Sequence, residues 1–410
     1  MIILLKPEID QPGEILRSII SMAQRYDGVW AKPYSYSGRD CGITEVHLIG
    51  STRTVPTQPF AALPGVLRVL RVSAKYRLIG RHGGAEPLGF EYNGVSFGRE
   101  TLNVFAGLCA VDTREHVART MAALAENGVV TTRMGAYKPR TSPYDFQGLG
   151  AECLPYVFEL AGKHGIRVIA IEATHARQID ELRSALENAG NPTGVMLQVG
   201  TRNAQNFELL KAIGQQRDFP VLFKRGMGIT LEESLNACEY VASEGNPRIV
   251  FCFRGVRTHL GDPHRNLLDF GLVPVVLRQT RLAVCIDPSH SVGRMDLAPD
   301  GLPDIFHAVG QGLIAGASMV LVDFHPEPKV ALCDGPQALT LDQLPRLVRY
   351  AATARAAYES LVAAHNGAGA DTRLQKESHM EQADAAGRSR LPFGRARSSV
   401  SITGSRAAAP

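Results

Sequence analysis

The chain has 410 residues, of which 45% are hydrophobic and 20% are charged, and its formal net charge is +4 at neutral pH. This composition is ordinary for a globular protein and excludes fibrous and wholly disordered classes. The positive excess is small and partly lies in an arginine-rich C-terminus, so we expect no nucleic-acid binding. No apolar run reaches the roughly 18 residues of a membrane span and no basic leader is present, so we expect a cytoplasmic protein.

The seven cysteines are an odd number and include no Cys-x-x-Cys pair. The sequence therefore predicts neither a disulfide framework nor a zinc-finger cluster. We expect most of these cysteines to be small buried hydrophobic residues, with Cys109 as the exception considered below.

Residues 1–75 predict a strand, a helix, two strands, a second helix and a further apolar run. This order is typical of a ferredoxin-like domain, in which two helices cover one face of an antiparallel sheet. Such a module more often regulates or assembles than catalyses. Residues 76–100 contain six glycines and predict a linker with a hairpin around Asn93-Gly94.

Strands and helices alternate through residues 101–366, which we interpret as the catalytic domain. The predicted strands span residues 102–110, 129–134, 167–173, 194–199, 220–225, 248–254, 282–287 and 318–324. Eight such strands with intervening helices over about 260 residues predict a (β/α)8 TIM barrel. The strands are apolar throughout because a parallel sheet is buried on both faces. Residues 367–410 are rich in Gly, Ala, Ser and Arg and predict a disordered tail.

The second barrel strand leads into a cationic loop. It ends at Arg133, and the loop that follows carries Lys138 and Arg140 beside the hydroxyls of Thr141 and Ser142. Charge-assisted bonds from Arg and Lys to anionic oxygens are strong, so the loop suits a phosphorylated or carboxylated small molecule. On this stretch alone, a solvated surface loop is an equally good interpretation.

Other strand ends carry ionisable groups as well, and in a TIM barrel these ends build the active site. The predicted anion-binding residues are Arg133, Lys138, Arg202, Lys224 and Arg254, with Arg140 and Thr141 as a second candidate anion site. An individual Arg or Lys is usually solvated or ion-paired. Five at equivalent ends of different strands favour two phosphorylated substrates, or one substrate with both a carboxylate and a phosphate.

A candidate metal site lies at the same ends. Its predicted ligands are Cys109, His290, Asp323 and Asp334. One thiolate, one imidazole and two carboxylates suit a divalent cation such as Mn, Fe, Co or Zn. No local spacing signature supports this set, and a lone cysteine in an apolar strand is more often buried filler. His325 and Glu327 are competing candidates from one loop.

Six motifs together carry a resemblance to a known family. They are Lys138-Pro139-Arg140-Thr141-Ser142, Gly200-Thr201-Arg202-Asn203-Ala204-Gln205-Asn206-Phe207, Lys224-Arg225-Gly226, Arg254-Gly255-Val256-Arg257-Thr258, Asp287-Pro288-Ser289-His290-Ser291 and His325-Pro326-Glu327-Pro328. In this order they resemble the type I-beta 3-deoxy-D-arabino-heptulosonate 7-phosphate (DAHP) synthases. These enzymes share ancestry with the 3-deoxy-D-manno-octulosonate 8-phosphate synthases. The resemblance includes the N-terminal domain but not the C-terminal tail.

The resemblance implies a metal-dependent, aldol-type condensation of phosphoenolpyruvate with erythrose 4-phosphate, the first step of the shikimate pathway. It places metal ligands at Cys109, His290, Asp323 and Asp334, phosphoenolpyruvate contacts at Arg133, Lys138, Arg202, Lys224 and Arg254, and aldose phosphate contacts at Arg140 and Thr141. Lys138 would also act as a general acid, with Cys109 and His290 as the other catalytic residues. The resemblance further implies a homotetramer or other homo-oligomer, and feedback by phenylalanine or tyrosine through residues 1–75.

Four positions depart from the family pattern. Leu108 stands where the family has Pro, Met134 replaces a Gly, Phe253 replaces a Glu, and Asp323 replaces a Glu ligand. Three interpretations stay open. The changes are drift within a working synthase, or they mark a specialised paralogue with another aldehyde acceptor, or they mark a weakly active regulatory subunit.

Overall fold

A computed structural model describes residues 1–6, 12–37, 42–71, 76–82, 86–190 and 192–387. The chain divides into two compact units, Met1–Tyr358 and Glu359–Pro410. The first unit contains both predicted folds. Within the described residues, no helix is long and apolar enough to cross a bilayer.

The N-terminal elements form a four-stranded antiparallel sheet with two helices. They are β1 (Ile2–Leu5), α1 (Pro12–Ala23), β2 (Val29–Ser37), β3 (Gly42–Gly50), α2 (Gln58–Ala61) and β4 (Val66–Leu70). The strand order is β2-β3-β1-β4, so the first strand pairs with both the third and the fourth. Ile3, Ile19, Val46 and Phe60 are fully buried between sheet and helices. The predicted ferredoxin-like fold is confirmed.

A short hairpin links this domain to the barrel. Its strands are β5 (Phe90–Tyr92) and β6 (Val95–Phe97). Asn93 and Gly94 between them both have positive φ, 51° and 75°, as a tight hairpin turn requires. The ring of Phe97 packs 6.1 Å from that of Phe105, inside the barrel, so the hairpin covers the end of the barrel opposite the strand carboxyl ends.

Eight parallel strands form the barrel. They are β7 (Asn103–Gly107), β8 (Thr131–Arg133), β9 (Val168–Ala173), β10 (Gly194–Val199), β11 (Val221–Lys224), β12 (Ile249–Phe253), β13 (Ala283–Ile286) and β14 (Met319–Asp323). The helices are α3 (Arg114–Glu126), α4 (Leu154–Lys163), α5 (Arg177–Ala189), α6 (Phe207–Gln215), α7 (Leu231–Ser243), α8 (Val273–Gln279), α9 (Pro288–Val292), α10 (Asp304–Ile314) and α11 (Leu344–Gly387). Each strand pairs with its sequence neighbour from β8 to β14, and β14 pairs with β7. The predicted (β/α)8 barrel is confirmed.

Side-chain hydroxyls close the barrel between β7 and β8. These strands share only an isolated parallel bridge, between Leu108 and Met134. Thr131 Oγ1 donates to the Val104 carbonyl at 2.8 Å, and Thr132 Oγ1 donates to the Ala106 carbonyl at 2.6 Å. The two threonines therefore satisfy buried carbonyls that a longer backbone ladder would otherwise satisfy.

Three of the four departures from the family pattern face away from the barrel mouth. Leu108, Met134 and Phe253 are fully buried in the apolar layer between the strands and the helices. The barrel interior is a separate cluster that includes Phe105, Cys252 and residues of the other strands. These three substitutions therefore alter packing against the helices rather than the walls of a pocket.

Two carboxylates help to attach the N-terminal domain and linker to the barrel. Glu45 of β3 accepts hydrogen bonds from Arg281, at 2.9 Å, and His47, at 3.1 Å, and all three side chains are buried. Glu239 of α7 accepts the backbone N–H groups of residues 77–79 at 2.7, 2.8 and 3.1 Å. The linker is therefore held by hydrogen bonds.

The predicted domain boundaries remain predictions. Helix α11 continues to Gly387, beyond the predicted barrel end at residue 366. The remainder of the predicted tail, residues 388–410, lies outside the described residues. Helices α8 and α9 were not predicted, because each is short and begins beside a proline.

Candidate active site

A basic pocket opens at the carboxyl ends of the barrel strands. Its lining includes all seven predicted anion-binding residues, which are Arg133, Lys138, Arg140, Thr141, Arg202, Lys224 and Arg254. His290 and Asp334 line the same pocket. The strand ends converge here because parallel strands place their carboxyl ends at one side of the barrel. The structure thus brings the predicted anion-binding residues next to two predicted metal ligands.

The cations of the pocket differ in how they are held. Lys224 Nζ lies 2.6 Å from Asp287 Oδ2, and Arg202 donates to Thr141 Oγ1 at 3.3 Å. Arg254 is 3% exposed, and its Nε and Nη1 atoms have no hydrogen-bond partner in the part of the chain that the structure describes. Burial lowers the pKa of Arg254, and nearby Asp287 offsets this only in part. A buried guanidinium with unpaired N–H groups can donate these hydrogen bonds to an anionic ligand.

Four potential ligand atoms meet at the base of the pocket. Cys109 Sγ lies 3.8 Å from His290 Nε2 and 3.2 Å from Asp334 Oδ2. His290 Nε2 lies 3.6 Å from the same carboxylate oxygen. Cys333 Sγ lies 3.9 Å from Cys109 Sγ and 3.2 Å from Asp334 Oδ2. A thiol, an imidazole and a carboxylate at these separations are a donor set that a divalent cation can hold together.

Local geometry explains why Cys109 and Asp334 reach this position. Gly135 passes so close to Cys109 that an added Cβ would lie 1.9 Å from the Cys109 carbonyl oxygen. Glycine is therefore required where the cationic loop crosses the end of β7. Asp334 has φ 55°, a left-handed conformation that aspartate tolerates better than most residues. Left-handed backbone outside glycine often marks a functional site.

Asp287 orients His290. Its side chain accepts the His290 backbone N–H at 3.0 Å, which caps helix α9, and it also lies 3.0 Å from His290 Nδ1. With Nδ1 held in this way, Nε2 faces Cys109 and Asp334. Burial would lower the pKa of His290, but Asp287 and Asp323 outweigh it and raise the pKa to about 10.

Asp323 lies beside this group with both carboxylate oxygens engaged. Oδ1 accepts from Arg133, and Oδ2 accepts from Gln337 Nε2 at 2.6 Å. Its Oδ2 also lies 3.5 Å from His290 Nδ1, the ring nitrogen that faces away from Cys109. Asp323, His290 and Cys109 still form one of the groups whose potential ligand atoms cluster.

Lys138 contacts the predicted metal ligand directly. Its Nζ lies 3.2 Å from Cys109 Sγ and 3.0 Å from the Cys109 carbonyl oxygen. Burial would lower the pKa of Lys138, but the sulphurs of Cys109 and Cys333 outweigh it and raise the pKa. Cys333 accepts a hydrogen bond from Cys109, which with burial raises the pKa of Cys109 well above its usual value. Lys138 therefore stays an ammonium, and its charge in turn lowers the pKa of Cys109, although by less than burial and Cys333 raise it.

Several residues of the site were missed by sequence reasoning. Glu172 of β9, Arg265, Cys333 and Gln337 either line the pocket or contact the predicted ligands. Arg265 donates to both Asp334, at 2.9 Å, and Gln337, at 2.8 Å. Glu172 was hidden in an apolar strand, and the others lie in loops whose path the sequence does not reveal.

The competing ligand candidates lie in a different cluster. His325 Nε2 lies 2.8 Å from Asp112 Oδ2, and its Nδ1 accepts the backbone N–H of Glu327 at 2.9 Å. His116 Nδ1 lies 2.9 Å from the same oxygen of Asp112. Burial would raise the pKa of Asp112, but hydrogen bonds from the two histidines lower it to about 2. Asp112, His116 and His325 thus form a separate group of clustered ligand atoms, whereas the Glu327 carboxylate pairs with Arg119 at 2.6 Å.

The fold and the pocket define a class: a (β/α)8-barrel enzyme that acts on small anionic substrates at its strand ends. Residues 83–358 match the model of the DAHP synthetase I family. Over 349 residues the chain is 38% identical to the phospho-2-dehydro-3-deoxyheptonate aldolase of Thermotoga maritima. The alignment covers 85% of this chain and 96% of the relative. The chain belongs to the DAHP synthetase I family.

More distant relatives and solved structures agree with this assignment. The chain is 27% identical over 270 residues to the 2-dehydro-3-deoxyphosphooctonate aldolase of Bradyrhizobium sp. (strain ORS 278), covering 62% of this chain and 88% of the relative. The crystal structure of the Thermotoga maritima DAHP synthase superposes with a TM-score of 0.62 at 34% identity, covering 88% of this chain and 97% of that one. A truncated form of that enzyme superposes with a TM-score of 0.57 at 35% identity, covering 66% and 93%.

Proposed function

We infer that this chain is a DAHP synthase, an enzyme that condenses phosphoenolpyruvate with erythrose 4-phosphate and releases phosphate. Family membership supports the reaction. The 38% identity to a phospho-2-dehydro-3-deoxyheptonate aldolase over most of the chain supports erythrose 4-phosphate as the acceptor, because a heptonate contains three carbons from phosphoenolpyruvate and four from the aldose. The observation that carries the proposal is the pocket, in which seven candidate anion-binding residues surround candidate metal ligands. The product enters the shikimate pathway.

We propose roles for the cationic residues from their positions. Arg133, Lys138, Lys224 and Arg254 are buried, so they can hold the carboxylate and phosphate of phosphoenolpyruvate away from water, where charge-assisted bonds are strong. The candidate phosphoenolpyruvate ligands are these four with Arg202, and Arg140 and Thr141 are the candidates for the aldose phosphate. Lys138, as an ammonium beside the reacting groups, can donate a proton to the aldehyde oxygen as the new carbon–carbon bond forms.

The side chains at the base of the pocket fit a divalent cation. Cys109, His290 and Asp334 face one another, and Asp323 lies next to His290. We propose these four residues as the candidate ligands, with Mn, Fe, Co or Zn as the candidate ions. A bound cation would supply Lewis acidity at the aldehyde oxygen. Asp287 would hold His290 with Nε2 directed to the ion.

The position of the departures favours a working synthase over an altered acceptor. Leu108, Met134 and Phe253 are buried against the helices and do not line the pocket. Asp323 is the departure that contacts the site, through Arg133 and His290. If the chain used another acceptor or had weak activity, the cause would therefore have to lie in residues other than these three.

Phosphate release tests the proposal. Phosphoenolpyruvate and erythrose 4-phosphate are supplied with manganese, and again after chelation, to the wild type, Cys109→Ala and Cys153→Ala. Cys153 is the matched control because it is also buried but donates to the Gly150 carbonyl instead of joining a group of ligands. We expect metal-dependent release from the wild type and the control and none from Cys109→Ala. Metal-loaded wild type that releases no phosphate would contradict the proposal and lead to a screen of other aldehydes.

We also propose feedback by phenylalanine or tyrosine at the N-terminal domain and assembly as a homotetramer or other homo-oligomer. The family resemblance and the ferredoxin-like domain support the feedback, and Glu45–Arg281 provides a direct contact between that domain and the start of β13. Activity with each amino acid, before and after deletion of residues 1–75, tests the first idea, and light scattering tests the second. Inhibition that survives the deletion would disprove regulation through this domain.

A further inference from the structure

The metal-ligand group contains a second sulphur that the family pattern does not assign. Cys333 precedes Asp334 in the loop after β14 and is 6% exposed. Its Sγ lies 3.9 Å from Cys109 Sγ and 3.2 Å from Asp334 Oδ2. Cys109, Cys333 and Asp334 also form a group of clustered ligand atoms by themselves. We propose that Cys333 is a ligand of the same metal ion as Cys109, an inference that depends on the metal dependence proposed above.

The distance between the sulphurs fits shared coordination. Two thiolates bound to a tetrahedral zinc-like ion at about 2.3 Å each lie roughly 3.8 Å apart. The observed separation of 3.9 Å matches this value and is far longer than a disulfide bond of about 2.05 Å. The separations of Cys109 from His290, 3.8 Å, and of His290 from Asp334, 3.6 Å, fall in the same range.

In this proposal Cys333 takes the coordination position of Asp323, the fourth candidate ligand, because the Asp323 carboxylate is engaged by other side chains. Both oxygens of Asp323 accept hydrogen bonds, from Arg133 and from Gln337 at 2.6 Å. Asp323 is one methylene shorter than the glutamate of the family pattern, so its carboxylate stays back with these partners. Cys333 approaches the same group from the loop that follows β14. A sulphur ligand thus accompanies the shortening of the carboxylate.

The surroundings of Cys333 suit a sulphur with negative charge. Arg140 Nη1 donates to Cys333 Sγ at 2.7 Å. A guanidinium donor favours an anionic acceptor, and a thiolate is the form of cysteine that binds metals. Arg140 is also a candidate ligand of the aldose phosphate, so Cys333 contacts one residue of each candidate site, Arg140 and Cys109.

Two thiolates make a site softer than one. Soft sulphur ligands favour zinc, iron and cobalt over manganese, which prefers oxygen. We therefore expect replacement of Cys333 by serine to weaken zinc binding by at least tenfold and manganese binding by much less.

Cobalt substitution tests the proposal without relying on activity. Cobalt(II) bound to thiolate absorbs in the near ultraviolet in proportion to the number of sulphur ligands. The spectrum of one bound cobalt per chain is compared among the wild type, Cys333→Ser, Asp323→Asn and the control Cys153→Ser, all kept reduced. We expect Cys333→Ser to lose about half of the thiolate band while still binding one cobalt, and the other two variants to retain it.

The outcomes separate this inference from the proposed function. An undiminished thiolate band in Cys333→Ser, together with complete loss of the band in Cys109→Ser, would overturn the role of Cys333 and leave the metal site intact. A wild type that binds no cobalt, zinc or manganese would overturn both proposals. Should Cys333→Ser fail to fold, Cys333→Ala and zinc competition with a chelator give the same decision through the change in zinc affinity.

Discussion

We predict that Arg254 lowers the free energy of unfolding of the ligand-free chain and at the same time increases the affinity for phosphoenolpyruvate. Its guanidinium is 3% exposed, and among the described residues its Nε and Nη1 have no partner. A buried N–H group without a partner costs about 1–3 kcal/mol, so Arg254→Met should stabilise the ligand-free chain by about that amount. Two charge-assisted bonds to the substrate would be lost, weakening its binding by about 3–6 kcal/mol, or roughly 150- to 25,000-fold.

Arg225 provides the matched control. It is buried at the neighbouring strand end but is paired with Asp269, which also accepts the Gly255 N–H at 3.0 Å. Arg225→Met would leave that carboxylate buried without its cation, a change that typically costs about 3–5 kcal/mol. Urea denaturation of both variants, with phosphoenolpyruvate titrations, makes the comparison. Destabilisation of Arg254→Met to the same extent as Arg225→Met would refute the reasoning.

Three further predictions concern proton release, barrel closure and the linker. Metal binding at pH 7.5 should release at least two protons, because the pKa of His290 is about 10 and that of Cys109 is raised. Titration in buffers of different ionisation enthalpy measures this number of protons. The affinity for the metal should rise about tenfold per pH unit for each proton released. Thr132→Val should leave the Ala106 carbonyl unpaired and destabilise the chain by about 1–3 kcal/mol in urea, with unchanged substrate affinity. Glu239→Ala should free three linker amides and accelerate limited proteolysis near residue 77, whereas an unchanged cleavage rate would contradict this role.

The sequence predicted the strands and the position of the basic residues correctly where a hydrophobic pattern is compatible with only one kind of structure. Strand β10 spans Gly194–Val199, the predicted residues, because an unbroken apolar run between helices has no other stable place than a parallel sheet. The strand ends then brought the predicted basic residues together, since barrel topology fixes where they point. Ferredoxin-like pairing followed in the same way from the order of strands and helices.

Other features depend on loop paths and could not be read from the sequence. Cys333 and Gln337 lie in the loop on either side of Asp334, which adopts a left-handed conformation, and the path of this loop was not predicted. His325 was a candidate ligand by residue type, but Asp112 holds it elsewhere. The effect of Phe253 was equally hidden, because only the structure shows that its ring faces the helices.

The most direct test of the central claim is to identify the product when two acceptors compete. The chain is incubated with manganese, phosphoenolpyruvate and equal concentrations of erythrose 4-phosphate and arabinose 5-phosphate, and the products are analysed by mass spectrometry. The account predicts a seven-carbon phosphorylated sugar acid as the main product, formed only with metal present. An eight-carbon product in excess, or no condensation with either aldose, would contradict it.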